Sequence, residues 1–151
     1  MTRPRNLRLA IALELNSQPV TAHFADTGVP HAIVFVDSID EYDVETNGRA
    51  LRYHGEFAPA GTNADFVGLT GPDSIKVRTY ERGVEGETLA CGTGAVASAL
   101  LAHATGRVKS CPVKVTMPGG ELKIDFKKDG DTYTEAWLIG KVVTVYTAKL
   151  V

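Results

Sequence analysis

The segment ERGVEGETLACGTGAVASALLAHATG, Glu81 to Gly106, decides how this chain is read. Its second half, AVASALLAHA, has almost no polar stripe, and a helix that is apolar all round must be enclosed on most sides. The rest of the chain is rich in short alternating runs of strand character, so the expected enclosure is a sheet. The predicted architecture is α+β: a barrel-like, strongly curved, mostly antiparallel sheet around a central buried helix over Thr93–Thr105. Such a helix begins near the rim of its enclosure, where a ligand reaches it.

Cys91 stands at that beginning, followed by Gly92, Thr93 and Gly94. A helix start exposes about four unpaired N–H groups and acts as a partial positive charge. That environment lowers a thiol pKa from its free value of about 8.5. The glycines let backbone amides approach a ligand, and the Thr93 hydroxyl has the chemistry of a cap or an anion donor. Two readings stand on C-G-T-G alone: an activated thiol beside an anion cradle, or a small buried hydrophobe before a tight turn. On the first, Cys91 alkylates faster than Cys111 near neutral pH. Glu81 adds weight to it. In SIKVRTYE, alternation places Ile75, Val77 and Thr79 on one inward face, and Glu81 continues that face, where an acid needs a partner or a task. Arg82 is its nearest partner in sequence, and an ordinary rim ion pair is the plainer reading. His31 opens a strand directly after Pro30, where it is either a satisfied histidine or a titrating group.

Outward from this segment, LRLAIALEL, PVTAHFAD and HAIVFV are predicted strands, and SIDEYDVETNGRALRYH (Ser38–His54) is a surface helix despite Gly48. ADFVGLT and SIKVRTYE form a further pair. The last forty residues predict a meander of four strands, with turns at Pro118-Gly119-Gly120, Asp129-Gly130-Asp131 and Gly140-Lys141. With 151 residues and 44% apolar content the expectation is a single globular domain over 1–151. A net charge of -2 gives no footprint for nucleic acid or anionic lipid. No apolar run approaches the roughly 20 residues that span a bilayer, and no cleavage signal follows the N-terminal apolar stretch, so the expected location is cytoplasmic. Two cysteines without a secretory signal are expected to stay reduced. The absence of H-x-x-x-H, C-x-x-C and phosphate-loop patterns predicts neither a metal nor a nucleotide cofactor.

Taken in order, TGVPHAIVFV, RYHGEFAPAGTNADFV, VRTYERGVEGETLACGTGAVASALLAH and MPGGEL resemble the C-terminal domain of the diaminopimelate epimerase family over nearly the whole chain. The E-R-G segment about ten residues before C-G-T-G, preceded by P-H and G-T-N, is a specific combination. The resemblance implies a cofactor-independent epimerase that interconverts LL- and meso-2,6-diaminopimelate, on the route to lysine and the bacterial cell wall. It implies two similar domains holding a small amino-acid substrate between them, the N-terminal one being absent from this chain. It also implies the site: Cys91 is one of two catalytic thiols, Glu81 and His31 set protonation states, Arg82 and Asn63 meet the distal end of the substrate, and the amides of Gly92 and Thr93 receive its α-carboxylate.

That chemistry needs both thiols, because a weakly acidic Cα proton must leave from one face while an acid delivers a proton to the other. Cys111 lacks flanking glycines and reads as structural. Val29 stands where many family members carry asparagine, which puts one amide contact in doubt. The expectation is half an active site, inactive alone. Two other classes remain on the sequence: a non-catalytic binding or self-associating module that pairs into a homodimer through an uncovered apolar face, and a cysteine hydrolase or acyl transferase using Cys91 and His31.

Overall fold

The computed structural model describes residues 3–149. In chain order the elements are β1 (Arg5–Leu15), β2 (Gln18–Asp26), β3 (Pro30–Phe35), α1 (Val44–Arg52), a 3₁₀ turn (Gly55–Phe57), β4 (Asn63–Gly71), β5 (Ser74–Glu81), β6 (Gly86–Thr88), α2 (Gly92–Ala104), β7 (Val113–Met117), β8 (Gly120–Asp129) and β9 (Thr132–Gly140). The strands form one sheet in the order β1-β2-β3-β4-β5-β7-β8-β9, with β6 paired to β5. All pairings are antiparallel except β3–β4 and β5–β7. Parallel neighbours need a crossover, and the two helices supply them. α1 connects β3 to β4, and α2 connects β5 to β7.

The crossovers lie on opposite faces, which explains why the central strands are buried on both sides. Ala32, Val34, Ala64, Phe66 and Tyr80 pack with Val44 and Leu51 of α1. Ile33, Val67, Ile75 and Val77 alternate with them and pack against α2, whose Ala95–Ala102 segment is buried throughout. The apolar helix is therefore buried from Gly94 to Ala102, in contact with β2, β3, β4, β5, β7, β8 and β9.

The α+β class and mainly antiparallel sheet are as expected, but the sheet is open, with β1 and β9 at its two ends. β1 carries register shifts near Arg8 and left-handed backbone at Asn6 and Ala10. Such irregularities twist an edge strand away from further pairing.

Three details depart from the sequence-based expectation. The first helix begins at Val44, not Ser38, because Asp43 caps it through the Thr46 N–H at 3.0 Å. The residues before it are held as a turn, with the Arg78 guanidinium donating to the carbonyls of Ile39, Asp40 and Tyr42. Residues 86–88, for which no strand was predicted, pair with β5 as β6. The fourth strand of the C-terminal meander is absent over residues 141–149, and its last two residues lie outside the described ones. Val142 (92% exposed), Val145 (85%) and Tyr146 (79%) have the composition of a strand, but no neighbouring strand completes their hydrogen bonds.

Candidate active site

The site grows from strand register. His31 on β3 lies two residues before Ile33, which is paired with Asp65 on β4, so both side chains point to the α2 face. Asp65 is in turn paired directly with Thr79 on β5. Three polar side chains from adjacent strands thus meet under the first turn of α2, and all three are fully buried. Burial of a carboxylate is costly unless every lone pair direction finds a donor. Here His31 Nδ1 lies 2.7 Å from Asp65 Oδ2, and Thr79 Oγ1 donates to Asp65 Oδ1 at 2.7 Å. His31 Nε2 sits 2.9 Å from Thr93 Oγ1, which is 3.5 Å from Cys91 Sγ. Gly94 makes this approach possible, since a Cβ there would stand 2.5 Å from Asp65 Oδ1 and 3.3 Å from the sulfur.

Cys91 occupies the position immediately before α2, in extended backbone, and its side chain caps nothing. The N–H groups of Gly92 and Thr93 have no intrahelical acceptor. The Thr93 carbonyl receives the Thr27 hydroxyl at 3.1 Å, which pins this turn to the end of β2. Cys91 retains 7% of its surface, so the sulfur is at the mouth but mostly covered. The electrostatic outcome reverses the sequence-based expectation of a lowered thiol pKa. Burial pushes the Cys91 thiol above its ordinary value and the Asp65 charge adds to this, with Glu81 contributing in the same direction. The Thr93 hydroxyl and the Gly94 N–H pull the other way and are outweighed. A helix terminus lowers a thiol pKa when the sulfur keeps its solvent, and this one does not. Cys111 is the exposed thiol, and burial with the neighbouring Asp125 pushes its pKa up as well.

The remaining predicted site residues gather nearby with partners of their own. Ile75, Val77 and Thr79 are buried on the inward face of β5 as expected, and Glu81, half-buried at its end, accepts from Thr88 Oγ1 at 3.0 Å. Arg82 does not pair with it; the Arg82 guanidinium donates to the Ala60 carbonyl at 3.2 Å. Asn63 ties two turns together, accepting from the Arg82 N–H at 2.8 Å and donating to the Pro30 carbonyl at 3.0 Å. Among the described residues, no group of three or more His, Cys, Asp or Glu side chains is placed to hold a metal ion. A hollow of about 740 Å³ lies on the α1 side, lined by Glu45, Arg49, Tyr53 and Glu85 among others, and contains none of the predicted site residues.

A model of the family described as diaminopimelate epimerase matches residues 23–145. The chain belongs to the diaminopimelate epimerase family. It is 48% identical to the diaminopimelate epimerase of Aquifex aeolicus over 139 residues, covering 91% of this chain and 49% of that protein. It is 53% identical to the one from a Hydrogenobaculum species over 110 residues, covering 71% of this chain and 40% of that protein. The chain thus spans about half the length of the curated relatives it matches. Among solved structures, a probable proline racemase from Agrobacterium radiobacter aligns with TM-score 0.64 at 16% identity, covering 96% of this chain and 53% of that one. A hydroxyproline epimerase from Agrobacterium vitis aligns with TM-score 0.61 at 19% identity, covering 89% and 46%. These two likenesses show a shared fold.

Within this family member, Asp65 and Thr79 are the residues that sequence reasoning missed as parts of the site. The available signal was Asp65 itself, an acid inside the apolar run ADFVGLT, on the same strand face as Val67. No helix among the described residues is long and apolar enough to cross a membrane.

Proposed function

We propose that this chain supplies one half of the active site of a cofactor-independent diaminopimelate epimerase, with Cys91 as one of its two proton-transferring thiols. The observation that carries this reading is the position of Cys91 beside the open amides that begin α2, in a chain of that family. In the proposal, the Gly92 and Thr93 amides receive the substrate's α-carboxylate and stabilise the negative charge that grows on it as the Cα proton leaves. Cys91 faces one side of that carbon. A companion N-terminal domain, which with this half would make the two-domain enzyme, brings the second thiol to the opposite side. A resting thiol held protonated by burial suits the side that delivers a proton. Arg82 meets the distal end of the substrate, together with the second side-chain amide hydrogen of Asn63, the first being engaged with Pro30. Glu81 and His31 govern the protonation of Cys91. The product is meso-diaminopimelate for lysine and the cell wall, made in the cytoplasm, and the chain is inactive alone.

The test is complementation. A separately produced N-terminal domain of a family member, added to this chain, restores LL-to-meso conversion and exchanges the α-hydrogen with deuterated water, and Cys91→Ala abolishes both. An inert mixture in which both halves fold and bind each other overturns the reading.

A second reading, a self-associating module, draws on the exposed Trp137, Ile139, Val142, Val145 and Tyr146 at the β9 end. Sedimentation separates the two. A companion domain that dissolves dimers into one-to-one complexes supports the epimerase, and a homodimer that persists in its presence supports the module.

A further inference from the structure

The Cys91 sulfur, the Thr93 hydroxyl, the His31 ring and the Asp65 carboxylate form an unbroken chain through spacings of 3.5, 2.9 and 2.7 Å, closed by Thr79 at 2.7 Å. Its polarity follows from what each group can donate. An ionised carboxylate only accepts, so His31 donates through Nδ1 and leaves Nε2 as an acceptor. Thr93 then donates its hydroxyl proton to Nε2, and its oxygen is free to accept from the thiol. We propose that the Thr93 hydroxyl is the proton link between Cys91 and His31, and that Asp65, anchored by Thr79, is the positioning residue that makes His31 the internal acceptor for the thiol proton.

The step balances without any other reactant. The S–H bond of Cys91 breaks as its proton forms a new O–H bond on Thr93, while the former Thr93 proton forms an N–H bond at His31 Nε2. The sulfur keeps the electron pair as thiolate, and His31 becomes an imidazolium with Nδ1–H on Asp65 and Nε2–H on Thr93. Nothing is oxidised or reduced. The reverse transfer returns the thiol after each half-reaction. A sulfur that burial holds protonated has little access to solvent for this exchange, so a proton acceptor inside the fold is what lets it alternate. The proposal rests on the reading of Cys91 as a proton-transfer group, and it extends that reading to Asp65, Thr79 and the hydroxyl of Thr93.

The groups facing Cys91 are Asp65 from β4, Glu81 from the end of β5 and, through Thr93, His31 from β3. Two effects of Asp65 therefore oppose each other, and the sign of a substitution separates them. As a fixed negative charge near the sulfur, Asp65 disfavours thiolate, and Asp65→Asn would speed alkylation. As the partner of an imidazolium, Asp65 favours the thiolate–imidazolium pair, and Asp65→Asn slows alkylation.

The experiment is site-resolved iodoacetamide labelling of the intact chain by mass spectrometry across a pH series, with the exposed Cys111 as internal reference. Thiolate ultraviolet absorbance is followed in a separate series in which Cys111→Ser is the background, so that Cys91 alone is read. Asp65→Asn is expected to slow Cys91 labelling at neutral pH by about tenfold or more, the scale of a hydrogen-bonded opposite charge, and to move the absorbance rise to higher pH. Thr93→Val gives the same pattern and Thr93→Ser restores wild-type labelling within about twofold, because only the hydroxyl carries the proton. An unchanged or faster Asp65→Asn protein overturns the relay, as does a Thr93→Val protein with the wild-type pH profile. Should Asp65→Asn fail to fold, seen as altered Cys111 labelling, the Thr93 pair decides. Failure of complementation with these labelling patterns intact sinks the epimerase reading and leaves the relay standing; the opposite pair of results sinks the relay alone.

Discussion

The two crossover helices serve the same topological purpose and are finished differently at their N-termini. α1 starts with its orphan donors met: Asp43 accepts from Thr46, and Glu45 brings an acid to the first turn. α2 starts with a cysteine that caps nothing and two glycines, one making room for Leu138 and the other for the Asp65 carboxylate. α1 is amphipathic, with Arg49 and Arg52 in its last turn, and α2 is apolar all round. A helix end with its amides satisfied is structural. One that leaves them open, with buried polar groups aimed beneath it, is the end that the proposed function assigns to chemistry.

That contrast is breakable at several points. The largest effect belongs to the enclosed helix: Leu100→Ala removes a fully buried side chain and costs about 2–5 kcal/mol in chemical denaturation. A loss well under that range means α2 is less tightly enclosed than its packing implies. On α1, Gly48→Ala tests close approach. In an open helix the change is stabilising, but here the new Cβ runs into the Cβ of Tyr80, and a loss of about 1–3 kcal/mol is expected. A gain instead shows that α1 shifts readily off the sheet. Smaller again is Cys91→Ser. Serine is a better cap than the cysteine it replaces, so the folded state is expected to gain up to about 1 kcal/mol, while the proposed proton transfer at the site is expected to be lost. A destabilised Cys91→Ser protein shows that the thiol contributes to the core rather than only to chemistry.

The smallest effect is at the far end of α2. Burial holds the His103 pKa below its ordinary value, with Lys128 adding to it, and Nδ1 lies 2.8 Å from Tyr133 Oη. A lowered value in the folded state means that the unfolded chain takes up the proton first. The contribution is therefore present above about pH 6.5 and fades as pH falls through the folded value. His103→Gln is expected to flatten that acid limb in a denaturation series.

Much of the fold was readable because its signals are local. The strand boundaries around Asn16-Ser17 follow from a two-residue turn with left-handed backbone, and the all-apolar α2 announced its own enclosure. The start of α1 was misplaced because acids and apolar spacing in SIDEYDV resemble a helix, and only Arg78 from a distant strand shows why those carbonyls are held in a turn. The last strand failed for a related reason. VVTVY has strand propensity, but propensity forms no ladder without a neighbour.

The sequence by itself determined that a thiol opens a buried helix, that Gly92 and Gly94 flank Thr93, and that these motifs fall in the order of one family. Each of these is a property of residues close together in the chain. Only the tertiary structure decided what that thiol is: β-strand register brought His31, Asp65 and Thr79 together beneath Thr93, and packing removed the water that would have let the helix terminus acidify the sulfur. Desolvation and long-range charge depend on what surrounds a group in space, and no local pattern encodes that.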